Sequence, residues 1–168
     1  MTGILPLQRL DQSLFDHLAD AARQRPRQRI NHNLHQSNDQ VQRFLNVLQP
    51  GTYVRPHQHV RHGTGNGFEC FLVLQGEIGL LLFDDQGNVI QRERLSTTGS
   101  LRGVEVAANQ VHSLVALQAN TVIFELKQGP YQPCLDKDFL ASFPEEGSPE
   151  AVLQERQWRQ LFQDDLEP

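Results

Sequence analysis

Four side chains able to ligate a metal occur at suggestive spacings: His57, His59, Glu69 and His112. His57 and His59 are two apart. In an extended strand, residues at i and i+2 face the same way, about 6 to 7 Å apart along the backbone, so both imidazoles can converge on one ion. Glu69 and His112 each sit among apolar residues, in GFECFLVLQ and QVHSLVAL. A carboxylate in such surroundings needs a partner or a cation. Three imidazoles and one carboxylate suit one divalent transition metal, and Fe, Zn, Ni, Mn and Co all fit. Taken singly, each residue also reads as structural: a strand histidine often only packs, and Glu69 has Arg55 or Arg61 as alternative partners.

The elements that must position these groups are mainly strands. From Phe68 onward, short apolar runs alternate with turns: FECFLVLQ, Gly76, EIGLLLFDD, the turn Asp85–Asn88, NVIQRERL, GVEVAA, QVHSLVAL and NTVIFELKQG. Closely spaced strands of this kind predict a sandwich or barrel. Phe71 to Leu74 and Leu80 to Phe83 are apolar on both faces, so their outer sides require cover from another sheet, the flanking segments or a second subunit. A homodimer is the expected assembly. Upstream, Arg29 to His35 alternates, with Asn31, Asn33 and His35 on one side, and Val41 to Leu48 is a second strand. Thr52 to His59 is extended, and the glycine-rich stretch Arg61 to Gly67 is a loop.

Helices are expected at both ends. Leu10, Leu14, Leu18 and Ala22, with Phe15 and Ala19, form an apolar stripe over Leu10 to Arg25, stopped by Pro26. Ser148 is the N-cap of a helix over roughly 149–163, striped by Val152, Leu153, Trp158, Leu161 and Phe162. The expected organisation is an N-terminal helix and arm over 1–28, a barrel over 29–130 and a C-terminal extension with helix over 131–168.

The 168 residues carry a net charge of -5, which disfavours nonspecific nucleic-acid binding. The cluster Arg23, Arg25, Arg27 and Arg29 reads as a solvated helix end, with an anionic ligand as the alternative. Cys70 and Cys134 make no disulfide framework, and Cys70 reads as a small buried hydrophobe. Neither a secretory leader nor an apolar run long enough for a bilayer is evident. A cytoplasmic location and a small-molecule partner, with no membrane or nucleic acid, are the expectation.

With its glycines included, the pattern resembles the cupin family. Gly51, five residues, His57-Gln58-His59, then Glu69, six residues and Gly76 follow the first cupin motif. The nine residues between His59 and Glu69 are a glycine-rich insertion, which makes His62 an alternative ligand. In the second motif, the usual Pro and Gly before the histidine are replaced by Ala107 and Asn109. Asparagine is the best non-glycine residue for a left-handed turn, so His112 keeps its register. The strings VQRFLNVLQPGTYVRPHQH, LLLFDDQGNV, HSLVAL and FELKQGPYQPCLDKDF are similar to WbuC-type cupin metalloproteins over roughly residues 29–145. That resemblance implies a double-stranded β-helix (cupin or jelly-roll barrel) with one metal in its mouth, in proteins some of which are encoded near surface-polysaccharide genes.

Around that mouth the pocket candidates are Asn33, His35, Phe44, Asn46, Tyr53 and Arg55, with Gln42 on the same strand face as Phe44. Arg55 and Tyr53 are placed to meet an anionic or sugar-like ligand; alternatively, Arg55 pairs with a rim carboxylate and Tyr53 packs. The Asn31, Asn33 and His35 face is a candidate lid. Lys127, Tyr131 and Asp136 are further contributors. Three functions fit: a metal-dependent isomerase or epimerase on a carbohydrate or sugar phosphate, an Fe-dependent dioxygenase, and a non-catalytic sensor. The sequence leaves open whether the chain is an enzyme, and no catalytic residue is assigned.

Overall fold

A computed structural model describes residues 7–60, 67–131 and 138–163. Helix α1 (Gln12–Arg23) precedes nine strands: β1 (Arg29–Asn33), β2 (Val41–Leu48), β3 (His57–Gln58), β4 (Glu69–Gln75), β5 (Glu77–Phe83), β6 (Val89–Ser96), β7 (Gly103–Val106), β8 (Val111–Ala116) and β9 (Thr121–Gln128). The short β10 (Asp138–Phe139) and helix α2 (Pro149–Gln163) follow. The strands form two antiparallel five-stranded sheets, ordered β1-β2-β9-β4-β7 and β10-β3-β8-β5-β6. This is the mainly β, jelly-roll sandwich expected, with a helix at each end.

One end of the space between the sheets is filled by an apolar core built on Phe71, Val73, Ile78, Leu80, Leu95, Leu114 and Ile123. The outer faces are largely covered by the chain's own helices. Asp11 caps α1 by accepting from the Leu14 amide at 3.1 Å. Phe15, Leu18, Ala19 and Ala22 then pack on Leu45, Val47 and Val122, the outer side of β2 and β9. Leu10 lies ahead of the cap and is 40% exposed, so the buried stripe starts at Phe15 instead. The other helix is capped by Ser148, whose Oγ accepts from the Ala151 amide at 3.2 Å. Its buried face is Ala151, Glu155, Trp158 and Phe162, set against Leu81, Phe83, Val111 and Val115. Val152 and Leu153 belong to the opposite face and are exposed. A Cβ at Gly79 would stand 2.3 Å from the Phe162 ring, so a glycine is required there for the helix to dock.

Strand parity corrects one expectation. Glu69, Phe71 and Val73 of β4 point inward, which turns Cys70, Leu72 and Leu74 outward. Cys70 is only half-buried, and Leu72 and Leu74 remain exposed. The candidate lid is also revised. β1 pairs with β2 over five residues, Arg29↔Leu48 to Asn33↔Phe44, so Asn31 and Asn33 belong to a hydrogen-bonded wall.

Candidate metal centre and its cavity

His57 and His112 are cross-strand neighbours of β3 and β8 in one sheet. His59 follows β3 directly, and Glu69 opens β4 in the facing sheet. A Cβ at Gly67 would lie 2.2 Å from the His59 carbonyl oxygen, so glycine lets the chain pass close to His59 on its way to Glu69. Asn109 adopts φ +63°, the left-handed turn that sets up His112. The four ligand atoms lie within 4.8 Å of one another, and all four residues are buried. Ligands held at about 2.0–2.2 Å from one ion are at most about 4.4 Å apart, so a small contraction suffices.

The hydrogen bonds of the rings decide what these groups offer. His57 Nδ1 lies 2.9 Å from the Arg55 carbonyl, and His112 Nδ1 lies 2.9 Å from the Gln110 carbonyl. A carbonyl only accepts, so each Nδ1 donates, and Nε2 is the nitrogen each ring turns to the cluster. His112 Nε2 is 2.6 Å from Glu69 Oε2, and His59 Nε2 is 2.9 Å from Glu69 Oε1. Burial pushes the Glu69 carboxyl up, but the adjacent His112 and His59 outweigh it and hold it well below the usual carboxylate range. The ionised carboxylate faces the Nε2 atoms of both rings. Among the described residues, neither His112 Nε2 nor Glu69 Oε2 has a hydrogen bond of acceptable geometry. Three imidazole nitrogens and a carboxylate converging on one point are a donor set that fits a divalent metal.

The cluster opens into a cavity of about 800 Å³. Register sets out its wall in rows. Glu69, Lys127 and Gln42 stand side by side across β4, β9 and β2; Phe71, Glu125, Phe44 and Asn33 form the next row, and Ile123, Asn46 and Asn31 the next. Lys127 Nζ is 3.7 Å from Glu69 Oε1 and 3.9 Å from Glu125 Oε1. Asn46 donates to Glu125. At the rim, Arg27 and Arg29 pair with Glu146 at 2.9 and 2.5 Å. Those two arginines therefore belong to the cavity mouth, whereas Arg23 pairs with Asp20 on α1.

A family model described as a domain of unknown function, DUF6016, matches residues 10–95, half of the chain. The chain belongs to the DUF6016 family. No curated protein matches it. Solved structures with a similar fold include a cupin superfamily protein from Desulfitobacterium hafniense DCB-2, at 21% identity and TM-score 0.51, covering 75% of this chain and 95% of that one. The capsular polysaccharide assembling protein CapF from Staphylococcus aureus aligns at 19% identity and TM-score 0.50, over 67% of this chain. This chain spans about a third of CapF, 34% of its length. KdgF from Halomonas sp. aligns at 19% identity and TM-score 0.49, over 65% of this chain and 85% of that one. The fold of this DUF6016 member is that of the cupin superfamily. Among the described residues, no helix is long and apolar enough to cross a membrane.

Of the pocket candidates, Asn33, His35, Phe44, Asn46 and Arg55 line the DUF6016 cavity, as do Asn31, Gln42, Lys127 and Tyr131. Tyr53 does not. It stacks on Trp158 at 5.7 Å between centroids and donates to the Pro144 carbonyl at 3.0 Å. The backbone before His57 is not a regular strand, so i, i+2 parity fails between Tyr53 and Arg55. His62 and Asp136 lie outside the described residues. Glu125, Glu146, Arg27 and Arg29 were not among the pocket candidates. Their signal was present but ambiguous: Glu125 and Lys127 share a strand face with Ile123.

Proposed function

We propose that this chain is a small cupin metalloprotein of the WbuC type that holds one divalent metal through His57, His59, Glu69 and His112. We further propose that it acts on a carbohydrate or sugar phosphate of surface-polysaccharide metabolism, as a metal-dependent isomerase or epimerase. The observation that carries the reading is the set of imidazole nitrogens turned, with an ionised carboxylate, into one buried point of a large polar cavity. A divalent ion bound there supplies Lewis acidity to a carbonyl or hydroxyl oxygen.

The chain's own residues suit a hydroxylated ligand. Asn31, Asn33, Gln42 and Asn46 offer amides to hydroxyl groups, and Phe44, Phe71 and Phe139 supply apolar contact. His35 Nδ1 is held by the Arg43 carbonyl at 2.7 Å, which leaves Nε2 as its nitrogen for proton transfer. The capsular polysaccharide role in the name of the staphylococcal CapF supports the choice of pathway. A homodimer completes the proposal, with the second copy covering the exposed Leu72 and Leu74 of β4; a monomer by light scattering at micromolar concentration argues against it.

The test is elemental analysis of protein purified without chelator. One equivalent of metal is expected in the wild type, and none in His112→Ala or in the double change of His57 and His59 to alanine. A full equivalent retained by the double variant means the ligands are wrongly assigned. Dominant iron, with oxygen consumed alongside a substrate, replaces the isomerase by a dioxygenase. Sugar phosphates that raise the melting temperature without turnover leave a sensor.

A further inference from the structure

Among the described residues, four cationic side chains line the cavity, and three of them are committed to carboxylates. Arg27 and Arg29 share Glu146, and Lys127 sits between Glu69 and Glu125. Arg55 is the exception: among the described residues, no carboxylate pairs with it. Its Nη2 reaches the Leu140 carbonyl at a long 3.4 Å. Its guanidinium lies 5.3 Å over the centre of the Phe139 ring. Its Nε is buried and lacks an acceptor. The amide nitrogen of Gln42, a residue only 2% exposed that lines the same cavity, also lacks an acceptor. A buried donor left unmet is costly, so this part of the cavity wall favours a ligand rich in acceptor oxygens.

We propose that Arg55 is a specificity-determining residue that binds the single carboxylate of a hydroxylated acid, a sugar acid, in this cavity. This rests on the metal-cupin reading and narrows its substrate class. A planar guanidinium takes a carboxylate through two parallel hydrogen bonds, and the Phe139 ring lies against one of its faces. One unspent cation balances one negative charge. A phosphate dianion asks for a second cation, and the cavity's other described cationic side chains are committed to carboxylates. Arg55 is also two residues from His57, and its own carbonyl fixes that ring's tautomer. An acid anchored on Arg55 is thereby held beside the histidine cluster, with its hydroxyl groups toward the asparagines of β1 and β2.

The test is calorimetric titration of the full chain with D-glucuronate, D-galacturonate and D-mannuronate, each against its parent hexose and hexose 6-phosphate. Metal content is measured on the same samples. At least one uronate is expected to bind about tenfold or more tighter than its hexose, as charge-assisted hydrogen bonds allow, and no weaker than the phosphate. Arg55→Gln brings uronate affinity down to that of the hexose, with metal content and melting temperature retained, and Arg55→Lys falls between. The proposal is overturned if no uronate binds, if the phosphate binds tighter, or if Arg55→Gln keeps wild-type uronate affinity. Metal-free wild-type protein would sink the metal reading separately, because the uronate–hexose comparison is read independently of it.

Discussion

Lys127 of β9 stands directly across from Glu69 of β4, and its ammonium lies 3.7 Å from the carboxylate that completes the histidine cluster. Both residues are buried, at 4% and 2% exposure. The ammonium also lies 5.5 Å over the Phe44 ring. The histidine–glutamate cluster is therefore continuous with the polar wall of the cavity through an ion pair.

Replacing Lys127 by methionine leaves two buried carboxylates short of a cation. The expected loss is about 3 kcal/mol in the metal-free protein, near the lower end for a broken buried pair. Added divalent metal is expected to recover part of it by sharing the charge of Glu69. Denaturant unfolding with and without metal measures both; an unchanged midpoint contradicts the arrangement.

Asn109 holds a left-handed backbone at φ +63°. Asn109→Gly is expected to be neutral or slightly stabilising, while Asn109→Val costs about 1–2 kcal/mol and disturbs His112. Metal affinity should fall in the valine variant and hold in the glycine variant. Equal affinities in the two would dissociate the turn from the ligand.

Gly79 permits Phe162 to sit against β5. Gly79→Ala forces a methyl group into that ring, and the expected cost is about 1–3 kcal/mol. Limited proteolysis should then cut earlier within α2. Phe162→Leu, added to the first change, should restore part of the stability, which a purely local backbone effect would not allow.

Burial pushes the Tyr53 phenol up from 10.0 to about 12, with Arg55 lowering it and Glu146 raising it. The folded state keeps the proton to a higher pH than the unfolded chain does. Its contribution is therefore intact below pH 10 and lost as pH rises towards 12. Tyr53→Phe should lose about 1 kcal/mol at neutral pH with the Pro144 hydrogen bond and flatten that alkaline decline. Thermal melts from pH 8 to 12 test the pair; parallel curves count against it.

Much of this protein follows from local pattern alone. Strand spacing, turn residues and the cap at Ser148 place most elements, because these depend on neighbours a few residues away; the cap at Asp11, which moves the start of α1 past Leu10, emerges only in the structure. The set His57, His59, Glu69 and His112 is legible through the motif spacing on either side of each residue, while its convergence on one point joins β3, β4 and β8 and is decided by the fold. Only the tertiary structure decides which face of each strand looks inward. Alternation in β2 and β9 separates Gln42, Asn46, Glu125 and Lys127 from Leu45, Val47, Val122 and Phe124, and polar residues ordinarily face water outside. Here the order is inverted. Helix α1 covers the apolar side and the cavity receives the polar one, so Lys127 meets Glu69 and Arg55 is left with a charge to offer. Those relationships join segments far apart in the chain, and no periodicity within a strand encodes them.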